Sequence, residues 1–270
     1  MSIATDEGTI PNSMHPCMSI DSVRNTIING DALKIMRQLP TASIDMVITS
    51  PPYNLRNSSG NGMKDGRGGK WSHAKLIKGY DDGSNDDAMP YDEYVLWQRE
   101  CLEEMMRLIP DTGAIFYNHK WRVQSGLLQD RHEILSGFPV RQVIIWKRKG
   151  GINFNPGYFL PTYEVIYLIA KKKFKLAKGA NKVGDVWEFG QELKNPHPAP
   201  FPVPLIDRIV SSTTANTILD PFMGSGTTAL AAMHYQRDYI GIELSKEYCD
   251  MAKQRIKNEQ ITLVDREVQQ

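Results

Sequence analysis

Between two short apolar stretches, residues 217–220 and 239–242, the chain reads Asp220-Pro221-Phe222-Met223-Gly224-Ser225-Gly226 and then Thr227-Thr228-Ala229-Leu230-Ala231. Few folds accommodate that order. The apolar stretch predicts a strand, Asp220-Pro221 ends it, two glycines make a tight turn, and the threonine-alanine run opens a helix. Glycine lacks a Cβ and takes left-handed angles, so a ligand can come close to the backbone there. The free N–H groups of the next helix point back toward the same place. Residues 239–242 form a second strand, and Glu243 stands at its end. Backbone after one strand and a carboxylate after the next is how open α/β sheets receive a nucleoside, with the acid on the ribose hydroxyls.

The turn alone leaves its ligand open. A phosphate loop of the GxxxxGK(S/T) type is excluded, because no lysine follows Gly226. A dinucleotide turn of the GxGxxG type lacks its third glycine here. S-adenosylmethionine, a nicotinamide or flavin, and a purely structural turn remain.

The chain has 270 residues, 41% hydrophobic and 23% charged, with a net charge of +1. That suits one large α/β domain. We expect a loose arm over residues 1–22, a single domain over 23–262 and a frayed tail over 263–270. Cys17, Cys101 and Cys249 are far apart and form no CxxC pair, which excludes a disulfide framework and suggests no metal site. A reducing, cytoplasmic setting follows. No apolar run nears 18 residues and no leader is seen, so neither a membrane span nor export is expected.

The near-neutral total conceals two basic stretches. Residues 55–80 carry six Lys or Arg, Arg56 and Lys70 among them, against Asp65 alone. Residues 141–182 carry ten, including Lys147, Arg148, Lys149, Lys171, Lys172 and Lys173, against Glu164 alone. Such a distribution can turn one positive face to a polyanion, or simply mark solvated loops.

Along the chain, residues 23–29 and 44–49 are predicted strands, with Gly30-Asp31 and a short helix between them. Asp31 lies at a strand's carboxyl end, where it serves either a ligand or a helix N-cap. The second strand runs into Ser50-Pro51-Pro52-Tyr53-Asn54. Two prolines hold that segment extended and without N–H groups. Its carbonyls, a hydroxyl and an aromatic ring then stand at the mouth of the sheet, which suits a planar base with an exocyclic amine. A merely rigid exit is the alternative. Residues 55–90 form a glycine-rich insertion with Trp71 and His73, expected as a lid or a DNA-contacting loop. A helix over 91–108 and strands over 113–119, 140–146 and 163–170 follow, with residues 121–136 expected to be helical. His119 and His132 receive no role. Residues 147–162 and 171–190 mix cations with aromatic and turn residues, as nucleic-acid surfaces do. His197-Pro198-Ala199-Pro200-Phe201-Pro202 is rigid, and a helix from Leu205 leads to the strand at 217–220. A closing helix follows Glu243.

Together these segments resemble the exocyclic-amino DNA methyltransferases, in the circularly permuted group whose catalytic segment precedes the cofactor loop. Ser50-Pro51-Pro52-Tyr53 matches that family's catalytic (S/D)PP(Y/F) motif. The segment from Leu219 to Thr228 matches its cofactor loop, so that Asp220, Phe222, Gly224, Ser225, Gly226 and Thr227 are expected at the cofactor. Glu243 matches the acid on the ribose, Asp31 the acid at the adenine moiety, and His197 opens the segment enclosing the methionine end. The resemblance spans residues 27–256. It implies an α/β Rossmann-like sheet of about seven mostly parallel strands, S-adenosylmethionine as cofactor and duplex DNA as partner. The Ser50 hydroxyl and the Pro51 carbonyl would accept the amine's N–H groups, while Tyr53 stacks on a flipped base. Arg56, Lys70 and the lysines and arginine at 147–149 and 171–173 would meet the DNA backbone.

In two places the chain departs from the pattern. The His-Pro segment lacks the lysine-proline continuation of its best-known form. The recognition region, 147–196, is short, which suggests a homodimer sharing the reading of sequence. Ser-led motifs resemble those of cytosine-N4 enzymes and Asp-led ones those of adenine-N6 enzymes, so cytosine N4 is the expected target and adenine N6 the alternative. A protein or RNA amide methyltransferase and a non-catalytic DNA-binding protein are the other readings.

Overall fold

The structure, a computed structural model, describes residues 18–54, 89–124, 126–150, 153, 155–192, 195 and 200–268. Its frame is an eight-stranded sheet. In chain order the strands are β1 (Thr26–Asn29), β2 (Met46–Thr49), β3 (Ala114–His119), β6 (Val140–Lys147), β7 (Tyr163–Ala170), β8 (Val186–Glu188), β9 (Thr217–Asp220) and β10 (Asp238–Glu243). They lie in the order β1-β10-β9-β2-β3-β7-β6-β8. The first five are mutually parallel, β7 runs antiparallel to both β3 and β6, and β8 is parallel to β6. About seven strands were expected; β8, read only as part of a basic run, is the additional one.

Strands β2, β3 and β9 are buried along their whole length, as expected for strands covered on both faces. The period of two splits their side chains between two cores. Met46, Ile48, Phe116 and Ile218 face one layer with α5 (Val203–Ser211), α6 (Thr227–His234) and α7 (Lys246–Val268). Val47, Ile115, Tyr117 and Leu219 face the other, with α1 (Ile20–Val23), α2 (Ala32–Met36), α3 (Tyr91–Leu108) and α4 (His132–Leu135). Each such fully buried aliphatic side chain contributes roughly 1.5–3 kcal/mol.

Three boundaries differ from expectation. Residues 20–23 form α1, so Val23 ends a helix instead of opening a strand, and Met18 is tied to Gln38 by a backbone hydrogen bond. The loose arm therefore does not extend to residue 22. Residues 121–136 are not one helix. They form a hairpin of β4 (Arg122–Gln124) and β5 (Leu127–Gln129), then α4. Gly126, at φ +80, turns the hairpin, and a Ser-Gly pair is a turn signal that outranks helical spacing. Finally, α7 continues as helix to Val268, through most of the expected tail.

Among the described residues, no helix is long and apolar enough to cross a membrane. No cluster of His, Cys, Asp and Glu among them could hold a metal ion. Cys101 and Cys249 are buried free thiols, and Cys17 lies outside the described residues.

Candidate active site

The chain leaves β9 in one direction, through α6 to β10, and β2 in the other, through α3 to β3. At that switch point the carboxyl ends of parallel strands open a crevice, the usual ligand position in such sheets. Both expected segments line it: Ser50 and Pro52 on one side, and Asp220 to Ser225 with Glu243 on the other, with Gly30 and Asp31 at the far end. Counted with the open solvent at its mouth, the crevice encloses about 890 Å³ of space.

On the turn side, the Gly224 N–H donates to Glu243 Oε2 at 2.7 Å, and the Ser245 N–H donates to Oε1 at 2.8 Å. The acid thus holds the turn against the end of β10. Gly226 adopts φ +88 and lies against α7, where an added Cβ would come within 3.0 Å of Ala252 Cβ. Ser225 is buried, its Oγ accepting from Arg255 and Asn195, both at 2.9 Å. Arg255 also pairs with Glu192 at 3.2 Å. Asp31 caps α2, its Oδ1 accepting the Lys34 N–H at 2.8 Å.

Asp220 was expected as a cofactor contact, but its carboxylate is committed within the protein. Oδ1 accepts from Thr49 Oγ1 at 2.9 Å and from the Phe222 N–H at 3.1 Å, and Oδ2 accepts from Thr228 Oγ1 at 2.6 Å. It therefore joins β2, β9 and α6 at the crevice floor. Burial pushes its pKa up to about 6, with the three hydrogen bonds opposing the shift.

On the other side, the Pro52 carbonyl accepts from Tyr94 Oη at 2.9 Å and Gln98 Nε2 at 3.3 Å, which fastens the Pro-Pro segment to α3. Asn54, at φ +55, donates from Nδ2 to the Met89 carbonyl at 2.7 Å. The two ends of the insertion therefore meet at the rim. Tyr53 is 4% exposed, its ring centroid 4.9 Å from that of His119. The stacking face expected of Tyr53 is thus covered in this arrangement. Its hydroxyl lies 2.5 Å from Ser50 Oγ and 3.2 Å from Glu164 Oε2. Asn118 Nδ2 donates to Tyr53 Oη at 2.7 Å and to Glu164 Oε2 at 2.9 Å. His119 is fully buried beside Tyr94 Oη at 2.7 Å, and burial together with Arg131 keeps its pKa well below the usual range.

The expected DNA contacts divide. Lys147 and Lys149 leave β6 at the crevice end of the sheet, partly exposed and both near Glu188, at 2.9 and 3.8 Å. Arg148 between them is a correction: its side chain is 10% exposed and paired with Glu164 at 3.3 Å. Lys171, Lys172 and Lys173 stand apart from these. Ala170 pairs with Ala114, at the start of β3, so this run leaves the sheet at the end away from Ser50. There Lys171 Nζ donates to the Ile109 carbonyl at 2.5 Å and Lys173 pairs with Asp111 at 3.0 Å. Arg56, Lys70 and His197 lie outside the described residues.

Several site residues were missed. Trp97 on α3 lines the crevice, with the Phe222 ring 5.6 Å away at 63°; the sequence reading placed it only within the helix over 91–108. Glu164 was noticed merely as the one acid in a basic stretch, and Asn118 sat within a buried strand. Their meeting with Ser50 depends on strand order. Lone polar residues at the ends of otherwise apolar strands were the available signal.

Fold and crevice define an open α/β sheet whose glycine turn and Ser-Pro-Pro-Tyr segment face each other at the switch point. The model of the N6/N4 DNA methylase family matches residues 44–254, and the chain belongs to that family. It is an S-adenosylmethionine-dependent DNA methyltransferase acting on an exocyclic amino group. Its relatives include the type II methyltransferase M.BglII of Bacillus subtilis, 31% identical over 87% of this chain and 69% of the relative. Among solved structures, the M1.HpyAVI–SAM complex matches at TM-score 0.56 and 23% identity, over 85% of this chain and 98% of that one. The PvuII DNA methyltransferase, described as cytosine-N4-specific, matches at TM-score 0.63 and 16% identity, over 86% and 90%. These two likenesses bear on the fold alone.

Proposed function

We propose that the chain methylates the N6 amine of an adenine turned out of duplex DNA. The donor would lie along the turn at Gly224, with Glu243 and Asp31 toward its nucleoside and Phe222 and Trp97 beside it. When bound, S-adenosylmethionine supplies a methyl group on a sulfonium, already a good leaving group. The protein's part is alignment and electrostatics. An aromatic amine is a poor nucleophile, because its lone pair is delocalised into the ring. Acceptors on its two N–H groups, here Ser50 Oγ and the Pro51 carbonyl, return density to nitrogen and aim the lone pair. Extruding the base costs a few kcal/mol of stacking and pairing.

The observation that carries adenine is the carboxylate behind Ser50. Preference for cytosine rested on the neutral serine where adenine-N6 enzymes resemble an Asp-led motif. Glu164 places a carboxylate behind that position through the Tyr53 hydroxyl, which answers the objection to adenine. The second reading, cytosine N4, draws on the Ser-led motif itself. The test is to methylate mixed-sequence duplex DNA with the purified protein, digest it to nucleosides and identify the product by mass. N6-methyladenine is the expected product. N4-methylcytosine would favour the second reading, and 5-methylcytosine would overturn both, since carbon methylation needs a nucleophile beside the base.

A further inference from the structure

Ser50 is a two-sided group. Its hydroxyl can donate or accept, yet only accepting helps an amine whose N–H groups need acceptors. The surrounding hydrogens decide which it does. Asn118 Nδ2, a donor only, points at Tyr53 Oη from 2.7 Å, at Glu164 Oε2 from 2.9 Å and at Ser50 Oγ from 3.4 Å. Glu164 Oε1 faces the Arg148 guanidinium at 3.3 Å, a donor only as well. The carboxylate, surrounded by donors, takes the Tyr53 hydrogen at 3.2 Å. The 2.5 Å contact between Tyr53 Oη and Ser50 Oγ then has one hydrogen left to use, that of Ser50.

We infer that Glu164, held by Arg148 and Asn118 and acting through Tyr53, is a positioning residue that fixes the Ser50 hydroxyl as an acceptor toward the crevice. Ser50 donates away from the substrate, and beside the long contact from Asn118 a lone pair is left for the amine. The carboxylate draws the chain of O–H bonds in one direction and makes the Ser50 oxygen more negative. The buried Arg148–Glu164 pair holds the carboxylate at the end of β7. Arg148 thereby serves the clamp and not a phosphate. This inference rests on the amine-methylating reading of the site.

The test compares Glu164→Gln, Tyr53→Phe and the double variant in single-turnover methyl transfer to duplex DNA at saturating S-adenosylmethionine. Each single change is expected to slow transfer by about 10- to 100-fold, because Ser50 is then free to point its hydrogen at the amine. The double variant should be no slower than the slower single one, since both break one chain. Affinity for S-adenosylmethionine, read by calorimetry, should stay within about twofold in all three. Glu164→Asp, which keeps the charge, should recover part of the rate. Wild-type transfer in Glu164→Gln would overturn the inference. So would losses that multiply in the double variant, or a slower rate that comes with an equal loss of cofactor affinity, because either marks a merely structural ion pair. Should Glu164→Gln fail to fold, Tyr53→Phe decides alone, since it keeps both the ring and the Arg148–Glu164 pair; unchanged transfer there also overturns the inference. A wild-type protein that methylates no base amine would overturn the parent reading along with this one. An active wild type with an unaffected Glu164→Gln overturns this one alone.

Discussion

Asp220 shows how a motif residue can matter through the fold itself. Its carboxyl titrates near 6 in the fold, against an ordinary value of 3.8, because burial disfavours the charge. The folded protein therefore holds this proton more tightly than the unfolded chain does. Its contribution to stability is fully present below about pH 4 and is lost as pH rises toward 6. The difference is on the order of 3 kcal/mol. Asp220→Asn should flatten the dependence of unfolding free energy on pH between 4 and 6, whatever its absolute stability. Urea titrations at half-unit steps would check this, and an unchanged slope would assign the pH dependence to other groups. The identity of the residue was legible in the sequence, but its orientation was not. Two threonine hydroxyls, Thr49 and Thr228, turn the carboxylate inward, and they are far from each other in the chain. The same holds for Ser50, which reaches a carboxylate only through Tyr53, from a strand more than a hundred residues later.

At the scale of elements, the glycine turn and the Pro-Pro exit were legible because both are written in backbone chemistry. Gly226 takes φ +88 and lies against α7, so Gly226→Ala meets both a left-handed penalty of roughly 1–2 kcal/mol and a clash at Ala252. It should lower the unfolding free energy by about 2–3 kcal/mol and weaken S-adenosylmethionine binding several-fold. Thermal melting with and without cofactor reads both effects, and a neutral substitution would mean that the turn and α7 part easily. What the sequence concealed was direction. Residues 163–170 spell a buried strand whichever way it runs, and nothing local says that β7 opposes β3. That single reversal carries Lys171, Lys172 and Lys173 to the wrong end for the crevice and brings Glu164 to the right one. The β4–β5 hairpin was hidden differently: its strands have three residues each, too few for a period of two to stand out.

For the whole molecule, charge is placed by topology and not by composition. Lys147 and Lys149 stand at the crevice end, whereas Lys171, Lys172 and Lys173 stand at the other. Changing Lys147 and Lys149 together to Gln should weaken binding to duplexes of any sequence by several-fold and reduce the slope of log affinity against log salt by about 2. Changing Lys171, Lys172 and Lys173 together to Gln should leave both within error. Fluorescence anisotropy over a salt series would separate the cases. A larger effect from the second set would mean that DNA wraps around the far edge of the sheet.

The hydrogen bond from Thr49 to Asp220 spans 171 residues, and β1 pairs with β10, near the other end of the described chain. During synthesis the proposed base clamp leaves the ribosome first and the donor turn long after it. At ~5–20 residues per second, the two are separated by roughly ten to thirty seconds of translation. A chain interrupted in that interval carries a clamp with nothing to transfer and an edge strand with no neighbour. No translation product ending before residue 217 could mark DNA, so the cell's methylation pattern is written only by chains that already carry the donor turn.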